Sequence, residues 1–353
     1  MSLLRQWWWK VLCIPLLCYA LIAGMRTPLG PGIVEVSPSS FSRGSTPSLD
    51  IVCYNTHFKE EDNSLNVILR NENNLICANE VTVVNESHLN VEYGLPPDLR
   101  TDGKKDFYNL IIYNGQDGTF FLRDAVSVGR EDTVKGISMR CTTILKAEPP
   151  AGSVFPYREI LYESIRNLFF HVPMWFTMIC LMLFSCVCSV IYLAKAKEDF
   201  DLIASSAAGV GVFFGMLGLL TGMQWANFTW GAPWMNDPKL NGVALGMLVY
   251  LAYFVLRGSL NDRQKRARVS SVYSIFAFVI FIVFIKIVPD MTDSLHPGNG
   301  GNPAFKDYDL DHTMKPVFYA AAAGFILLGF WMMSLTVRYR HLLEIQREKT
   351  FSA

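Results

Sequence analysis

The sequence predicts a polytopic α-helical membrane protein with six transmembrane helices and an inserted all-β domain of the immunoglobulin-like sandwich type. Three observations lead to this prediction. The chain of 353 residues is 51% hydrophobic and has a mean hydropathy of +0.25. Six long apolar runs occur along it, and a polar stretch of short alternating segments separates the first run from the others. This composition is typical of a membrane protein joined to a soluble part, and the zero net charge gives no indication of nucleic-acid binding.

Each apolar run is close to the length of about 20 residues that a transmembrane helix needs. The first run could instead be a cleaved signal peptide, since it has a charged start and small residues near Ala23 and Gly24. The consecutive tryptophans at 7–9 are more typical of an interfacial anchor, so we expect this span to be retained. The runs lie at roughly 7–25, 171–194, 202–223, 241–256, 270–288 and 315–337.

Basic residues cluster at four places that all fall on one side of the membrane if the chain has six spans. Such an excess of lysine and arginine marks the cytoplasmic side. The outer side then holds the polar insert, the loop after the third run and an acidic segment at 289–314. We therefore expect both termini in the cytoplasm. The clusters are Arg5 with Lys10, Lys195 with Lys197, Arg257 with Arg263, Lys265, Arg266 and Arg268, and Arg338 with Arg340, Arg347 and Lys349.

The insert contains about seven short segments rich in β-branched residues, separated by turn residues such as Asn-Gly at 114–115 and Asp-Gly at 117–118. This spacing predicts an antiparallel β-sandwich, and its opening segment resembles the first strands of IPT/TIG domains. Its expected role is to dock a partner or to cover the neighbouring membrane site. The predicted division is a first transmembrane helix at 1–26, an extracytoplasmic insert at 27–150, a five-helix domain at 151–340 and a cytoplasmic tail at 341–353.

Three cysteines lie in the insert, at Cys53, Cys77 and Cys141. In an oxidising compartment they allow one disulfide and leave one thiol. The sequence does not determine which two of them pair.

The stretch from Gln224 to Lys239 contains three tryptophans, Trp225, Trp230 and Trp234. We interpret it as a loop at the outer membrane boundary. Such an aromatic shelf is either an interfacial anchor or the wall of a site for a flat apolar ligand.

Two histidines are predicted on the same outer face, because His171 begins the second run and His296 follows the fifth. Two neutral imidazoles on opposite sides of a porphyrin would make a six-coordinate haem. Arg166 and Lys239 are available for the haem propionates. Asp237 could cap the following helix, hold a histidine tautomer or orient Lys239. Taken singly, each histidine could equally be an ordinary boundary or loop residue.

Three segments carry a resemblance to a known family. WGAPWMNDPKL resembles the tryptophan-rich WWD motif of haem-handling proteins, FFHVPMWF resembles an HVPAAW-type segment around a first haem histidine, and SLHPG resembles the segment around a second. Together they identify the chain as similar to CcmC of cytochrome c maturation, within the CcmC/CcmF/CcsA superfamily. The resemblance covers about 160–335 and the first span, and the insert lies outside it. Pro233 and Asn236 stand where the family usually has tryptophan, and Phe228 and Trp175 are candidates to replace that surface.

The resemblance implies a protein that binds haem at the outer face of the bacterial inner membrane and presents it for transfer, with no catalysis of its own. The haem would be b-type, non-covalent and transient. The implied axial ligands are His171 and His296. The implied partners are a CcmE-like haem chaperone, a CcmA/CcmB-like ABC transporter and a small CcmD-like membrane protein. The other residues of the implied haem site are Trp225, Trp230, Trp234, Asp237, Arg166 and Lys239.

Two alternatives remain open on the sequence. One is a CcsA-like haem-delivery component of a cytochrome c synthetase. The other is a membrane-anchored ligand-binding or adhesion protein that works through its β-domain. A membrane redox enzyme with b-type haems is disfavoured, because it would need paired histidines within facing spans and none of the six histidines lies in a span core.

Overall fold

The computed structural model describes residues 2–42, 45–59, 64–72, 74–95, 105–129, 152–292, 294–296 and 310–352. The chain divides into two compact units. One unit combines Met1–Arg26 with Ser164–Ala353, and the other is Thr27–Glu163.

The first unit is helical. Within the described residues, six of its helices are long and apolar enough to cross a membrane. This confirms the predicted number of spans and the polytopic class. The helices are α1 (Ser2–Arg26), α2 (Leu168–Lys195), α3 (Glu198–Trp230), α4 (Pro238–Gly258), α5 (Arg263–Ile282) with its continuation through a π-helical turn (Val283–Ile287) into the short α6 (Val288–Asp290), and α7 (Met314–Ser352).

Residues at the helix ends explain where the helices begin and end. Asp237 caps α4, since its side chain accepts hydrogen bonds from the backbone N–H groups of Lys239 and Leu240, and Pro238 occupies the first turn. The preceding helix, α3, ends at its C-cap Gly231, which adopts a φ of 78°. Only glycine takes this left-handed conformation without strain, so α3 stops there.

Helices α2 and α3 pack closely because α3 presents a row of glycines to large side chains of α2. A Cβ atom at Gly218 would lie 2.7 Å from Cε2 of Trp175, and one at Gly222 would lie 2.7 Å from Cε1 of His171. Small residues at this spacing let two membrane helices approach. The facing pairs are Gly211 with Met182, Gly215 with Met178, Gly218 with Trp175 and Gly222 with His171.

At the opposite end of the bundle, a buried ion pair joins α3 to α4. Arg257 donates two hydrogen bonds to Asp201, at 2.7 and 2.6 Å. Arg340 of α7 donates to the hydroxyls of Ser205 and Ser206 on α3. Charged residues inside a membrane bundle persist only when they are paired in this way.

The second unit is β-rich, and nine strands lie within its described residues. One sheet has the order β1-β3-β7-β6 and the other has the order β2-β9-β8-β4-β5. Both sheets contribute alternating apolar side chains to one core. The strands are β1 (Gly32–Ser37), β2 (Ser40–Ser42), β3 (Ser48–Tyr54), β4 (Asn66–Arg70), β5 (Leu75–Cys77), β6 (Glu80–Asn85), β7 (His88–Glu92), β8 (Lys105–Asn114) and β9 (Gly118–Gly129).

This unit extends beyond residue 150, where the sequence predicted the insert to end. Gly30 donates to the Phe155 carbonyl at 2.7 Å, and Phe155 donates to the Pro28 carbonyl at 2.9 Å. Tyr157 then stacks on Tyr54 with ring centroids 5.6 Å apart. These contacts are long-range in sequence, so the local pattern at residue 150 could not indicate them.

The two described cysteines of this unit differ in oxidation state. Cys77 is disulfide-bonded, and Cys53 is a free, buried thiol. Burial, with the nearby Asp117 carboxylate, raises the pKa of Cys53 to about 12. Cys141 lies outside the described residues.

Candidate functional site

His171 lies in the first turn of α2, where it is oriented by α3. Its Nδ1 is 3.0 Å from the carbonyl oxygen of Gly218 and 3.1 Å from Oγ1 of Thr221. A carbonyl can only accept a hydrogen bond, so Nδ1 carries the proton and Nε2 keeps a free lone pair. The ring also makes an edge contact with Trp175, with centroids 6.2 Å apart. His171 is therefore positioned to act as a ligand through Nε2.

Two of the three tryptophans lie on a helix, which corrects the predicted loop. Trp225 and Trp230 belong to the last two turns of α3, and only Trp234 lies in the segment between α3 and α4. The helix continues because 224–230 contains no glycine or proline, and Gly231 is the first residue that can end it. The two helical tryptophans are thus placed on a rigid element.

These two indoles pack against His296. The ring centroids of Trp225 and Trp230 lie 6.2 Å and 5.2 Å from that of His296 and 5.1 Å from each other. Trp234 is 40% exposed and Phe228 is 60% exposed. The aromatic wall around His296 therefore consists of Trp225 and Trp230, while Trp234 and Phe228 offer open aromatic surface.

Asp237 ties α4 to the segment that carries His296. Its Oδ2 accepts hydrogen bonds from Oγ of Ser294 at 2.8 Å and from the Leu295 N–H at 2.9 Å. Burial acts to raise the pKa of Asp237, but the hydrogen bonds from Ser294 and Leu295 and the neighbouring His296 outweigh it, and the pKa lies below its usual value. Asp237 is therefore a buried carboxylate at neutral pH.

The imidazole of His296 is neutral at physiological pH. Burial, together with the positive charge of Lys239, lowers the pKa of His296 to about 4. Its Nδ1 lies 3.4 Å from Oδ1 of Asp237, and within the described residues this buried nitrogen has no hydrogen-bond partner. The carboxylate favours the tautomer with the proton on Nδ1, which leaves Nε2 free. His296 can therefore also ligate through Nε2.

The two histidines share one electrostatic environment. His296 lies within electrostatic range of His171, and the charge of Lys239 acts on both. Lys239 also lies near Lys286, which pairs with Asp290 at 2.7 Å. The sequence did not single out Lys286, which lies in the π-helical turn after α5. Arg166 donates to the Gly24 carbonyl at the end of α1, at 2.7 Å.

The arrangement has the chemistry of a site for a flat ligand that brings most of its own metal donors. Across the described residues, no group of three or more His, Cys, Asp and Glu side chains could hold a bare metal ion. A porphyrin supplies four nitrogen donors and needs only two axial ligands. The two neutral imidazoles match the iron of a haem, and the two packed indoles match its apolar ring. The nearby lysines match its propionates.

The comparisons with known proteins concern the helical unit. The family model for heme exporter protein C, CcmC, matches residues 154–352. Heme exporter protein C of Paracoccus denitrificans is 28% identical over 186 residues, which cover 53% of this chain and 75% of that protein. The Bradyrhizobium diazoefficiens protein of the same name is 31% identical over 109 residues, or 31% of this chain and 41% of that protein.

A shorter similarity links the chain to a second group. The cytochrome c biogenesis protein CcsA of Thermosynechococcus vestitus is 38% identical over 60 residues, which cover 17% of this chain and 19% of that protein. The family model begins at residue 154, so the β-strands of the second unit lie outside the matched region.

Proposed function

The chain belongs to the heme exporter protein C (CcmC) family, and from this premise we propose that it binds haem for cytochrome c maturation between His171 and His296. The observation that carries the proposal is the state of these two imidazoles. Nδ1 of His171 donates to the Gly218 carbonyl, and Nδ1 of His296 lies 3.4 Å from a carboxylate oxygen of Asp237, so both environments favour a proton on Nδ1 and a free Nε2 for iron. Bis-histidine ligation would occupy both axial positions of the iron and leave the porphyrin edge open to a partner.

The neighbouring residues have separate roles in this proposal. Trp225 and Trp230 pack against the porphyrin and hold the His296 ring, and Trp234 adds exposed aromatic surface. The Asp237 carboxylate, 3.4 Å from Nδ1 of His296, favours the tautomer with the proton on Nδ1. Lys239 and Arg166 are assigned to the propionates, and Lys239 is supported by its charge interaction with both histidines.

The proposal extends to the place and the partners of this haem. The haem is b-type, non-covalently held and transient, and the protein transfers it without catalysing a reaction. It lies at the outer face of the bacterial inner membrane, with both termini in the cytoplasm. A CcmE-like chaperone receives the haem, with a CcmA/CcmB-like ABC transporter and a CcmD-like small membrane protein as further partners. The insert is an extracytoplasmic domain of immunoglobulin-like type that docks a partner.

Haem co-purification tests the ligand assignment. The detergent-purified protein is expected to show a Soret band, and His171→Ala and His296→Ala are each expected to lose most of it. His312→Ala is the matched control, because the side chain of His312 is 90% exposed. Unchanged haem content in both ligand variants would contradict the assignment, provided that circular dichroism shows the same helix content.

A CcsA-like synthetase component is the second candidate, and it rests on the 60-residue similarity. The two functions differ in the protein that accepts the haem. Site-specific crosslinking from Trp234→Cys would join a CcmE-like chaperone under the main proposal and an apocytochrome under the alternative.

A further inference from the structure

Two cations share one indole at the end of the bundle away from the two histidines. The Nζ of Lys10, on α1, lies 4.0 Å from the centroid of the Trp7 ring and 5.3 Å from that of Trp9. The Cζ of Arg338, on α7, lies 5.5 Å from the same Trp7 ring. The indole attracts each cation, but the two positive charges repel one another.

The stretches of α1 and α7 around these cations are poor in carboxylates. The sequence has no Asp or Glu before Glu35, and none between Asp311 and Glu344. Glu344 lies six residues beyond Arg338 and pairs with Arg263 at 3.1 Å. Over the described parts of the chain, neither Lys10 nor Arg338 has an ion pair or hydrogen bond with an acidic group. Among the residues that the structure describes, no acidic side chain therefore pairs with either cation.

The packing of the two helices keeps the cations together. Sγ of Cys13 donates to the carbonyl oxygen of Gly324 at 3.4 Å, and a Cβ at Gly324 would lie 2.9 Å from Leu17. Lys10 is only 4% exposed, whereas Arg338 is exposed. Two cations at one indole repel each other when no acidic side chain stands between them, so this arrangement favours an anion that approaches from the side of Arg338.

The position of the cations indicates what kind of anion this is. Trp7 begins the apolar part of α1, and Arg338 follows directly on the apolar run of α7. Tryptophan and basic residues at such boundaries lie at the level of the lipid headgroups. Trp8 and Leu12 are 60% and 42% exposed on α1 beside the site, and they offer apolar surface to acyl chains. A free phosphate would make no use of that surface.

We propose that Lys10, Arg338 and Trp7 form a binding site for an anionic phospholipid, with the lipid phosphate between the two cations. The lipid supplies a negative charge that no described side chain supplies at Lys10 and Arg338, and it joins α1 to α7 at this end of the bundle. The site is separate from the histidines, so it does not depend on haem binding.

Native mass spectrometry of the detergent-purified, full-length protein tests this site. Phosphatidylglycerol and phosphatidylcholine with identical acyl chains are added in separate titrations, and inorganic phosphate in a third. The wild-type protein is expected to retain phosphatidylglycerol in preference to the other two. The double variant Lys10→Gln/Arg338→Gln is expected to bind phosphatidylglycerol roughly 30-fold more weakly, because each basic residue contributes separately to headgroup binding.

Two matched variants separate a specific site from general charge and from misfolding. Lys197→Gln/Arg347→Gln removes two cations away from Trp7 and should bind like the wild type. Lys10→Arg/Arg338→Lys keeps both charges and should retain the lipid. The proposal would be overturned if the Gln double variant bound phosphatidylglycerol as tightly as the wild type does, or if the wild type bound phosphatidylcholine or inorganic phosphate as tightly as phosphatidylglycerol.

If the double variant fails to fold, Arg338→Gln alone is used, since Arg338 is exposed. This single variant should weaken phosphatidylglycerol binding measurably. An Arg338→Gln protein that binds like the wild type would also overturn the proposal.

Discussion

Asp237 is the residue that connects most parts of the proposed haem site. Its two oxygens accept hydrogen bonds from Lys239 and Leu240 at the start of α4 and from Ser294 and Leu295 in the distant segment beside His296. It also lies 3.4 Å from Nδ1 of His296. A single buried carboxylate therefore sets both the helix start and the position of a proposed ligand.

Asp237→Asn is expected to weaken haem retention while leaving the fold in place. The amide can still cap α4, but its NH₂ group cannot accept hydrogen bonds from Ser294 and Leu295, and it no longer favours a proton on Nδ1 of His296. We expect roughly tenfold lower haem occupancy, in the range for lost outer partners of a metal ligand, and a loss of about 1–3 kcal/mol in unfolding free energy.

The measurement is haem content per protein after purification, with thermal unfolding in detergent beside it. The control is Asp262→Asn, since Asp262 caps α5 by accepting from the Lys265 N–H in an exposed position. Equal haem occupancy in the two variants would argue against a role for Asp237 in orienting His296.

The identities of the proposed ligands were predictable from the sequence, but their tautomers were not. His171 and His296 stand at the ends of apolar runs, which placed them on one face. The groups that favour a proton on Nδ1 of each histidine lie far away in sequence. Gly218 is 47 residues from His171, and Asp237 is 59 residues from His296. No local pattern indicates such partners.

At the scale of elements, the α2–α3 contact positions the first histidine. Gly222 allows α3 to pass directly over the His171 ring. The imidazole occupies the space that a side chain at position 222 would otherwise fill. The spacing of the glycines along α3 is visible in the sequence. Their alignment with His171, Trp175 and the methionines of α2 depends on how the two helices pack.

Gly222→Ala is expected to displace the His171 ring. The added Cβ would lie 2.7 Å from Cε1 of the imidazole, so the ring or the helix must move. We expect a reduced Soret band and a partial loss of the six-coordinate low-spin spectrum. Gly209→Ala is the matched control on the same helix, because its Cβ would lie 3.9 Å from Phe254, an ordinary contact. An unchanged spectrum in Gly222→Ala would show that the ring position is not needed for ligation.

The π-helical turn after α5 is a second element that sequence patterns could not predict. A Cβ at Gly242 of α4 would overlap the carbonyl oxygen of Phe284 in this turn. The close approach of α4 requires glycine at this position. Lys286 lies in the same π-helical turn and within electrostatic range of Lys239. The sequence showed only an apolar run with a lysine near its end.

At the scale of the whole molecule, the number of spans sets the sidedness of the chain. Six spans would place both termini on the same side, and the four basic clusters predict that this side is the cytoplasm. The proposed haem ligands would then lie on the outer side.

Reporter fusions in living cells test this orientation. Alkaline phosphatase fused after Ser352 is expected to be inactive, because the enzyme folds only in an oxidising compartment, while green fluorescent protein at the same place should fluoresce. The control is alkaline phosphatase fused after Thr292, which follows five spans and should be active. An active phosphatase after Ser352 would contradict the predicted sidedness.

The sequence by itself determined the class of the protein and predicted the residues of the proposed site. Apolar length identified six spans, charge placement predicted their orientation, and three short segments pointed to the family. These features are local, because span length and flanking charge act within one helix.

The tertiary structure decided how the site is assembled. It extended α3 to Trp230 so that two tryptophans stand on a helix against His296, it joined Asp237 to Ser294 and Leu295, and it brought Lys286 beside Lys239. Each of these features is a contact between segments that are distant in sequence. Such contacts depend on helix packing in three dimensions, which the periodicity of a single segment does not specify.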